Sequence, residues 1–115
     1  MKHGPDSEIS LAEVASTFAA LGSEQRLSVL RTLVRAGPEG LSIGEVGARC
    51  DVSGSTLTHH MKILSQAGLV QQAKHGRTVI CFAARYPEME ALSKFLLKEC
   101  CADAGDAVKG PNKDV

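Results

Sequence analysis

A mainly α fold of the α+β class, four helices followed by a β-hairpin and a closing helix, is what three features of this chain predict. Apolar residues recur at helical spacing in five separate stretches, most of them opened by a capping residue or a proline. Between the fourth and the fifth, "LVQQAKHGRTVICFAA" places two strand-like runs on either side of "KHGR", where Gly76 supplies the positive φ that a tight hairpin turn needs. The length, 115 residues, suffices for one hydrophobic core but not for two.

Each element has its own justification. Ser10 and Glu13 stand at capping-box spacing, and Val14, Phe18 and Leu21 then form one stripe of a first helix closed by Gly22. Ser23 caps a second helix, with Leu27, Leu30 and either Leu33 or Val34 inward, which "AGPEG" stops. Ser42 and Glu45 repeat the capping-box spacing for a short third helix through Val46 to Arg49, and "CDVSGS" is the turn behind it. Ser53 or Ser55 caps the fourth helix, "STLTHHMKILSQAG", which Gly68 terminates. Val79, Ile80, Cys81 and Phe82 give the second strand its β-branched and aromatic character. The last helix, "YPEMEALSKFLLKECC", has Pro87 in its first turn and Glu88 and Glu90 at the positive end of its dipole, and reads as helical up to the paired cysteines. Residues 1–8 and 103–115 are polar, aperiodic and Gly- and Pro-containing, and are expected to be disordered tails of a domain spanning 9–102.

The formal charge is zero, but its distribution is uneven. From Val52 to Pro87 there is no Asp or Glu, while Lys62, Lys74, Arg77 and Arg85 lie there with His59, His60 and His75. Residues 1–51 carry seven acids against five Lys and Arg, and residues 88–115 six against four. A neutral total thus hides a basic middle, and the local field is what meets phosphates. No apolar run approaches the ~18 residues of a membrane span, and the start lacks the basic-then-apolar pattern of a secretory signal, so no membrane association and a cytoplasmic location are expected. Cysteines at 50, 81, 100 and 101 do not form the framework of a small secreted protein; in a reducing compartment they are thiols.

On a helical wheel the fourth helix divides cleanly. Leu57, Met61 and Leu64 fall together with His60 at their edge, and Ser55, His59 and Lys62 fall opposite, flanked by Thr56 and Thr58. Short hydroxyls that reach bases or phosphates, and a cation without a nearby acid, suit a helix lying in a major groove. Third helix, turn and fourth helix make a helix-turn-helix, and the hairpin, with Lys74, His75 and Arg77 at its tip, makes a wing that reaches the neighbouring backbone or minor groove. Together with Ser53 these residues are the expected contacts to double-stranded operator DNA. Polar helix faces and basic hairpin tips are each common; their order within one short stretch is what favours DNA. His59 and His60 point about 100° apart and have no His or Cys one turn away, so His59 is assigned to DNA and His60 to a hydrogen-bonded structural place rather than to zinc. Paired carboxylates, a phosphate-binding Gly loop and a nucleophile motif are all missing from the sequence, which argues against an enzyme. A protein-interaction module of the same shape is the other rival.

These stretches resemble the ArsR/SmtB family of bacterial winged-helix repressors: "FAALGSEQRLSVLRTL" is similar to its second-helix signature, and "VSGSTLTHHMKILSQAGLV" with "KHGRTVICF" to its recognition helix and wing. The resemblance covers roughly residues 10–101. It implies a homodimer paired through the first and last helices, for which Phe18, Leu92, Phe95 and Leu96 are available, sitting on a pseudo-palindromic operator until an inducer binds. The Cys-x-Cys of sensors that use the third helix is absent, since "SIGEVGARC" offers only Cys50. The last helix has no His for zinc or nickel, and Arg31 stands near the second-helix position where persulfide sensors hold a Cys. What remains is Cys100 and Cys101, similar to the C-terminal vicinal pair of arsenic-responsive members.

Soft thiolates select thiophilic ions. Trivalent arsenic or antimony is held by two or three sulfurs: a methylated trivalent arsenical is satisfied by two, whereas arsenite, which prefers three, would draw the third from Cys50, Cys81 or the other subunit, and antimonite is a further candidate. No resident cofactor is required; the trivalent arsenical is the inducer. A dithiol redox or persulfide switch is the competing reading of the same pair, and two small, semi-apolar residues at a fraying helix end is the plain one.

Overall fold

Side-chain caps start the first three helices. In the computed structural model, which describes residues 9–52 and 54–105, α1 (Leu11–Ala20) begins where Ser10 Oγ accepts from the Glu13 amide at 3.1 Å and its hydroxyl donates to the Glu13 carboxylate at 3.1 Å. Next, α2 (Glu24–Ala36) begins at Ser23, whose hydroxyl accepts from the Arg26 amide at 3.3 Å. A two-residue strand, β1 (Leu41–Ser42), leads into α3 (Ile43–Cys50), where the capping box is complete: the Glu45 amide donates to Ser42 Oγ at 3.2 Å and the Ser42 amide donates to Glu45 Oε1 at 3.0 Å. Those bonds from Ser42 hold the Glu45 carboxyl below its ordinary value. The chain continues through α4 (Gly54–Gln66), β2 (Val70–His75), β3 (Thr78–Ala83) and α5 (Tyr86–Leu97). Residues 1–8 and 106–115, the whole first tail and most of the second, lie outside the described residues.

The sheet is antiparallel with order β1-β3-β2, so the hairpin strand β3 is central. The sequence predicts only the hairpin; β1 adds Leu41 opposite Cys81 and Ser42 opposite Ile80. Two residues that run straight into a helix cap leave no alternating pattern to read. Gly40 makes that third strand possible. At φ +70°, a Cβ there would lie 2.3 Å from the Cys81 carbonyl oxygen and 2.8 Å from the Phe82 ring.

One core joins the helices and the sheet: Val29 and Leu33 of α2, Val46 of α3, Met61 and Leu64 of α4, then Leu69, Val70 and Cys81. On three helices the inward face differs from the apolar pattern. Val14, Thr17 and Ala20 are the buried residues of α1, while Phe18 stays more than a third exposed; Thr17 can be buried because its hydroxyl donates to the Glu13 carbonyl at 2.9 Å. Val29, Leu30 and Leu33 face in from α2, leaving Leu27 and Val34 outside. Leu92 of α5 is buried in the subunit's own core and is not available to a partner, and Phe95 packs half-buried against that core, while Leu11, Leu96 and Leu97 are exposed.

The last helix is shorter than its sequence pattern. It stops at Leu97, Lys98 turns extended (φ −57°, ψ 133°), and Glu99 and Cys101 take φ +59° and +66°. Past Phe95 no described side chain is buried, so nothing offsets the entropy of further helical residues, and Cys and Asp are weak helix formers. Cys100 and Cys101 therefore sit in a run of tight turns, closed by the Cys100 and Ala102 amides donating to Leu97 and Glu99 carbonyls, each at 3.0 Å. Among the described residues no helix is long and apolar enough to cross a membrane.

Candidate nucleic-acid interface and thiol turn

The turn between α3 and α4 is held by backbone geometry. Asp51 adopts φ +54°, and the Val52 amide donates to the Gly47 carbonyl at 3.1 Å. Gly47 permits this close return, since a Cβ there would come within 2.7 Å of the Val52 oxygen. Ser53 lies outside the described residues. Ser55 is the second residue of α4 and so is not its cap; the helix opens on Gly54 at φ +61°.

Around α4 the two faces separate as the wheel predicts. Leu57, His60, Met61 and Leu64 are buried, and Ser55, Thr56, Thr58, His59 and Lys62 are exposed. The Thr58 hydroxyl donates back to the Gly54 carbonyl at 3.3 Å, which leaves its lone pairs outward. Its first turn holds no acid.

His60 fixes the helix from behind. It is 8% exposed, its Nε2 lies 2.8 Å from Gln25 Oε1 and its Nδ1 lies 3.5 Å from Arg26 Nη1. Arg26 in turn donates through Nε to the Ala20 carbonyl at 2.6 Å. With an arginine donor at Nδ1 and a carbonyl acceptor at Nε2, the ring fits as the neutral Nε2–H tautomer. Burial first, then the Arg26 charge and His59, push its pKa down, which agrees. Sequence pattern places His60 correctly but not Gln25 and Arg26, whose polar first-turn positions on α2 carry no mark of a partner thirty-odd residues away.

The hairpin pairs His75 with Thr78, leaving Gly76 and Arg77 as a two-residue turn. Gly76 is at φ +62° and Arg77 is not in the positive region, the pattern of a type II′ turn. Lys74, His75 and Arg77 are all exposed. The Leu69 amide donates to Leu64 O at 2.9 Å, and the Ala84 amide donates to Leu69 O at 2.8 Å, so the wing's base is tied to the end of α4.

In the turns that follow α5, Cys100 Sγ and Cys101 Sγ are 3.3 Å apart, the first exposed and the second half-buried. The hydrogen bond with Cys100, then burial and the Cys100 charge, push the Cys101 thiol up. The other two thiols sit in other surroundings. Cys81 is fully buried, its pKa raised by burial, with Gln72 donating to its sulfur at 3.8 Å; Cys50 Sγ lies 3.3 Å from Thr32 Oγ1. Among the described residues no three His, Cys, Asp or Glu side chains cluster as a metal site.

Comparison with known proteins gives the same architecture. Residues 21–73 match a family model described as a helix-turn-helix domain. An uncharacterized HTH-type transcriptional regulator, YceK of Bacillus subtilis, is 45% identical over 64 residues, 56% of this chain and 63% of that protein, so the match spans less than two thirds of its length. The ArsR-like transcriptional regulator from Rhodococcus sp. RHA1 superposes with a TM-score of 0.63 at 30% identity, over 81% of this chain and 83% of that one. The reduced form of HlyU from Vibrio cholerae does so with a TM-score of 0.60 at 30% identity, over 78% and 90%.

Proposed function

Because the chain belongs to the ArsR-like family of winged helix-turn-helix transcriptional regulators, we propose that it acts as a homodimeric repressor that grips double-stranded operator DNA and releases it when a trivalent arsenical binds Cys100 and Cys101. The reading face of α4, with Ser55, Thr56, Thr58, His59 and Lys62, lies in the major groove; Lys74, His75 and Arg77 of the wing meet the flanking backbone, and Ser53 joins them at the turn. Each copy offers one α4, and the exposed Phe18, Leu96 and Leu97 on α1 and α5 supply apolar surface for a second.

The observation that carries the effector is the pair of sulfurs 3.3 Å apart on an exposed turn. Adjacent Cα atoms are about 3.8 Å apart across a trans peptide, closer than the 4.4–6.8 Å of ordinary disulfides, so a direct Cys100–Cys101 bond is strained. One larger atom bonded to both sulfurs removes that strain: methylarsenite exchanges its two As–OH groups for two As–S bonds, and the hydroxyls leave with the two thiol protons as water. A methylated arsenical, which needs two sulfurs, fits better than arsenite, because Cys81 is buried and Cys50 is engaged with Thr32 on another helix. Capture would reorganise the turn at the end of α5 and so the subunit pairing that spaces the two reading helices. A thiol redox or persulfide switch is the second reading. It is favoured by the exposure of Cys100, and in it peroxide would oxidise the Cys100 thiolate to a sulfenic acid that condenses with a partner's thiol as water leaves, or a persulfide would pass its outer sulfur to Cys100 as its carrier thiol leaves.

Operator release tests both. With a duplex selected from a random pool, methylarsenite should free DNA from the parent and not from Cys100→Ser or Cys101→Ser, arsenite more weakly, and zinc, cadmium and peroxide not at all. Release by peroxide or a persulfide alone establishes the redox reading; unchanged arsenical release in both variants removes the cysteines from the mechanism.

A further inference from the structure

An apolar groove lies between the loop that follows α2, the base of the wing and the first turn of α5, away from the reading face. Its cavity measures about 780 Å³, within the range of small-molecule sites. Half-buried Phe82 and Met89 provide its apolar walls above the fully buried Leu33, and Val34 and Tyr86 stand at its rim, 52% and 75% exposed. The Phe82 wall is built in: its ring is seated against Gly40, where a Cβ would come within 2.8 Å of a ring carbon.

The polar side chains among the lining residues are few. Arg85, Gln71 and Tyr86 are among them, and no Asp or Glu is. Arg85 forms no ion pair among the described residues. It stands exposed at the start of α5 and makes no side-chain cap there. An apolar trough with a cation and no acid among its lining residues is complementary to a ligand with an apolar body and one negative head.

We infer that this groove binds a small apolar monocarboxylate, its chain against Phe82 and Met89 and its carboxylate on Arg85. The site is separate from the thiol turn and does not depend on the arsenical reading. Because it joins the wing's second strand to α5, its occupant contacts both the DNA-reading and the C-terminal parts of the fold.

The chain has one tyrosine and no tryptophan, so Tyr86 emission reports on the groove directly. Octanoate titrated into the full-length protein should change that emission saturably, and octanol, the uncharged match, should bind about tenfold more weakly, the loss of one charge-assisted hydrogen bond. Arg85→Gln should weaken octanoate by a similar factor and leave octanol unchanged; Val34→Glu, an exposed position, should abolish octanoate binding without unfolding the chain. Replacing both Cys100 and Cys101 by Ser should leave octanoate binding as in the parent, whatever it does to DNA release. The inference is overturned by a non-saturating response, by equal binding of octanol and octanoate, by indifference to Arg85→Gln, or by emission that follows protein concentration and excludes octanoate, which would make a second copy the groove's occupant.

Discussion

Leu64 and Leu97 are both leucines in the last turns of a helix, yet the first is wholly buried and the second 67% exposed, and everything around them differs in the same way. Near Leu64, α4 is packed against α2 and β2, tied to the sheet by the Leu69 amide and steadied by the hydrogen bonds of His60. Near Leu97 the helix has run out of neighbours, and the chain continues in turns with Glu99 and Cys101 in the left-handed region. A reading surface has to present its donors and acceptors in fixed places. A sensing element has to have two arrangements of similar free energy, and a segment held by local turns alone meets that condition far more readily than a buried one.

Truncating each leucine is the most direct attempt to break this contrast. Leu64→Ala should cost about 2–5 kcal/mol of unfolding free energy, the usual range for a cavity in a closed core. Leu97→Ala should change the stability of the isolated subunit by no more than about 0.5 kcal/mol. Urea denaturation at low protein concentration measures both, and comparable losses would mean that the C-terminal end is packed as firmly as the reading helix.

A smaller effect tests what holds α4 from behind. His60→Ala leaves Gln25 and Arg26 without their shared partner and should cost about 1–3 kcal/mol. It should also remove a pH dependence. The pKa of His60 is lowered in the fold, mainly by burial, so below the ordinary histidine value of about 6.5 the unfolded chain binds a proton that the native one refuses. Parent stability is then full above about pH 6.5 and falls as the pH drops below it, while the variant's profile loses that component. Replacing the exposed neighbour by His59→Ala should move stability by no more than about 0.5 kcal/mol. Unfolding curves taken across pH 5–8 separate the three proteins.

The same contrast explains what could be read in the sequence. Caps, glycine stops and the α4 wheel are local, set by residues within one or two turns, and Ser42 with Glu45 or Leu57 with Met61 and Leu64 appear in the structure as the pattern predicts. Strand β1 was not legible, because its partner lies forty residues on and its fit depends on the missing Cβ of Gly40. Thr17 and Val29 took inward places that the pattern assigns to Phe18 and Leu27: the Thr17 hydroxyl closes its own helical bond and so can be buried, and Val29 is itself apolar. The end of α5 misled for the opposite reason: its helical residues continue past the point where burial ends. The exposed polar face of α4 was legible as a face, but its support from Gln25 and Arg26 needed the fold.

The smallest predicted effect compares two lysines at the two ends. Lys94 of α5 faces Glu90 at 3.4 Å, both side chains well exposed, a pair worth little in water, whereas Lys62 stands on the reading face with no acid in the surrounding stretch from 52 to 87. If Lys62 neutralises one operator phosphate, Lys62→Ala should weaken DNA binding several-fold at low salt and reduce the slope of log affinity against log salt by about 1. Arg77→Ala should do the same from the wing tip. Lys94→Ala should leave the slope unchanged, because its counterions are not released on the duplex. Fluorescence anisotropy with an operator duplex between 50 and 200 mM salt resolves a change of this size, and an equal drop for Lys94→Ala would place DNA on the C-terminal helix as well, removing the division between a firmly packed α4 and a loosely held C-terminal turn.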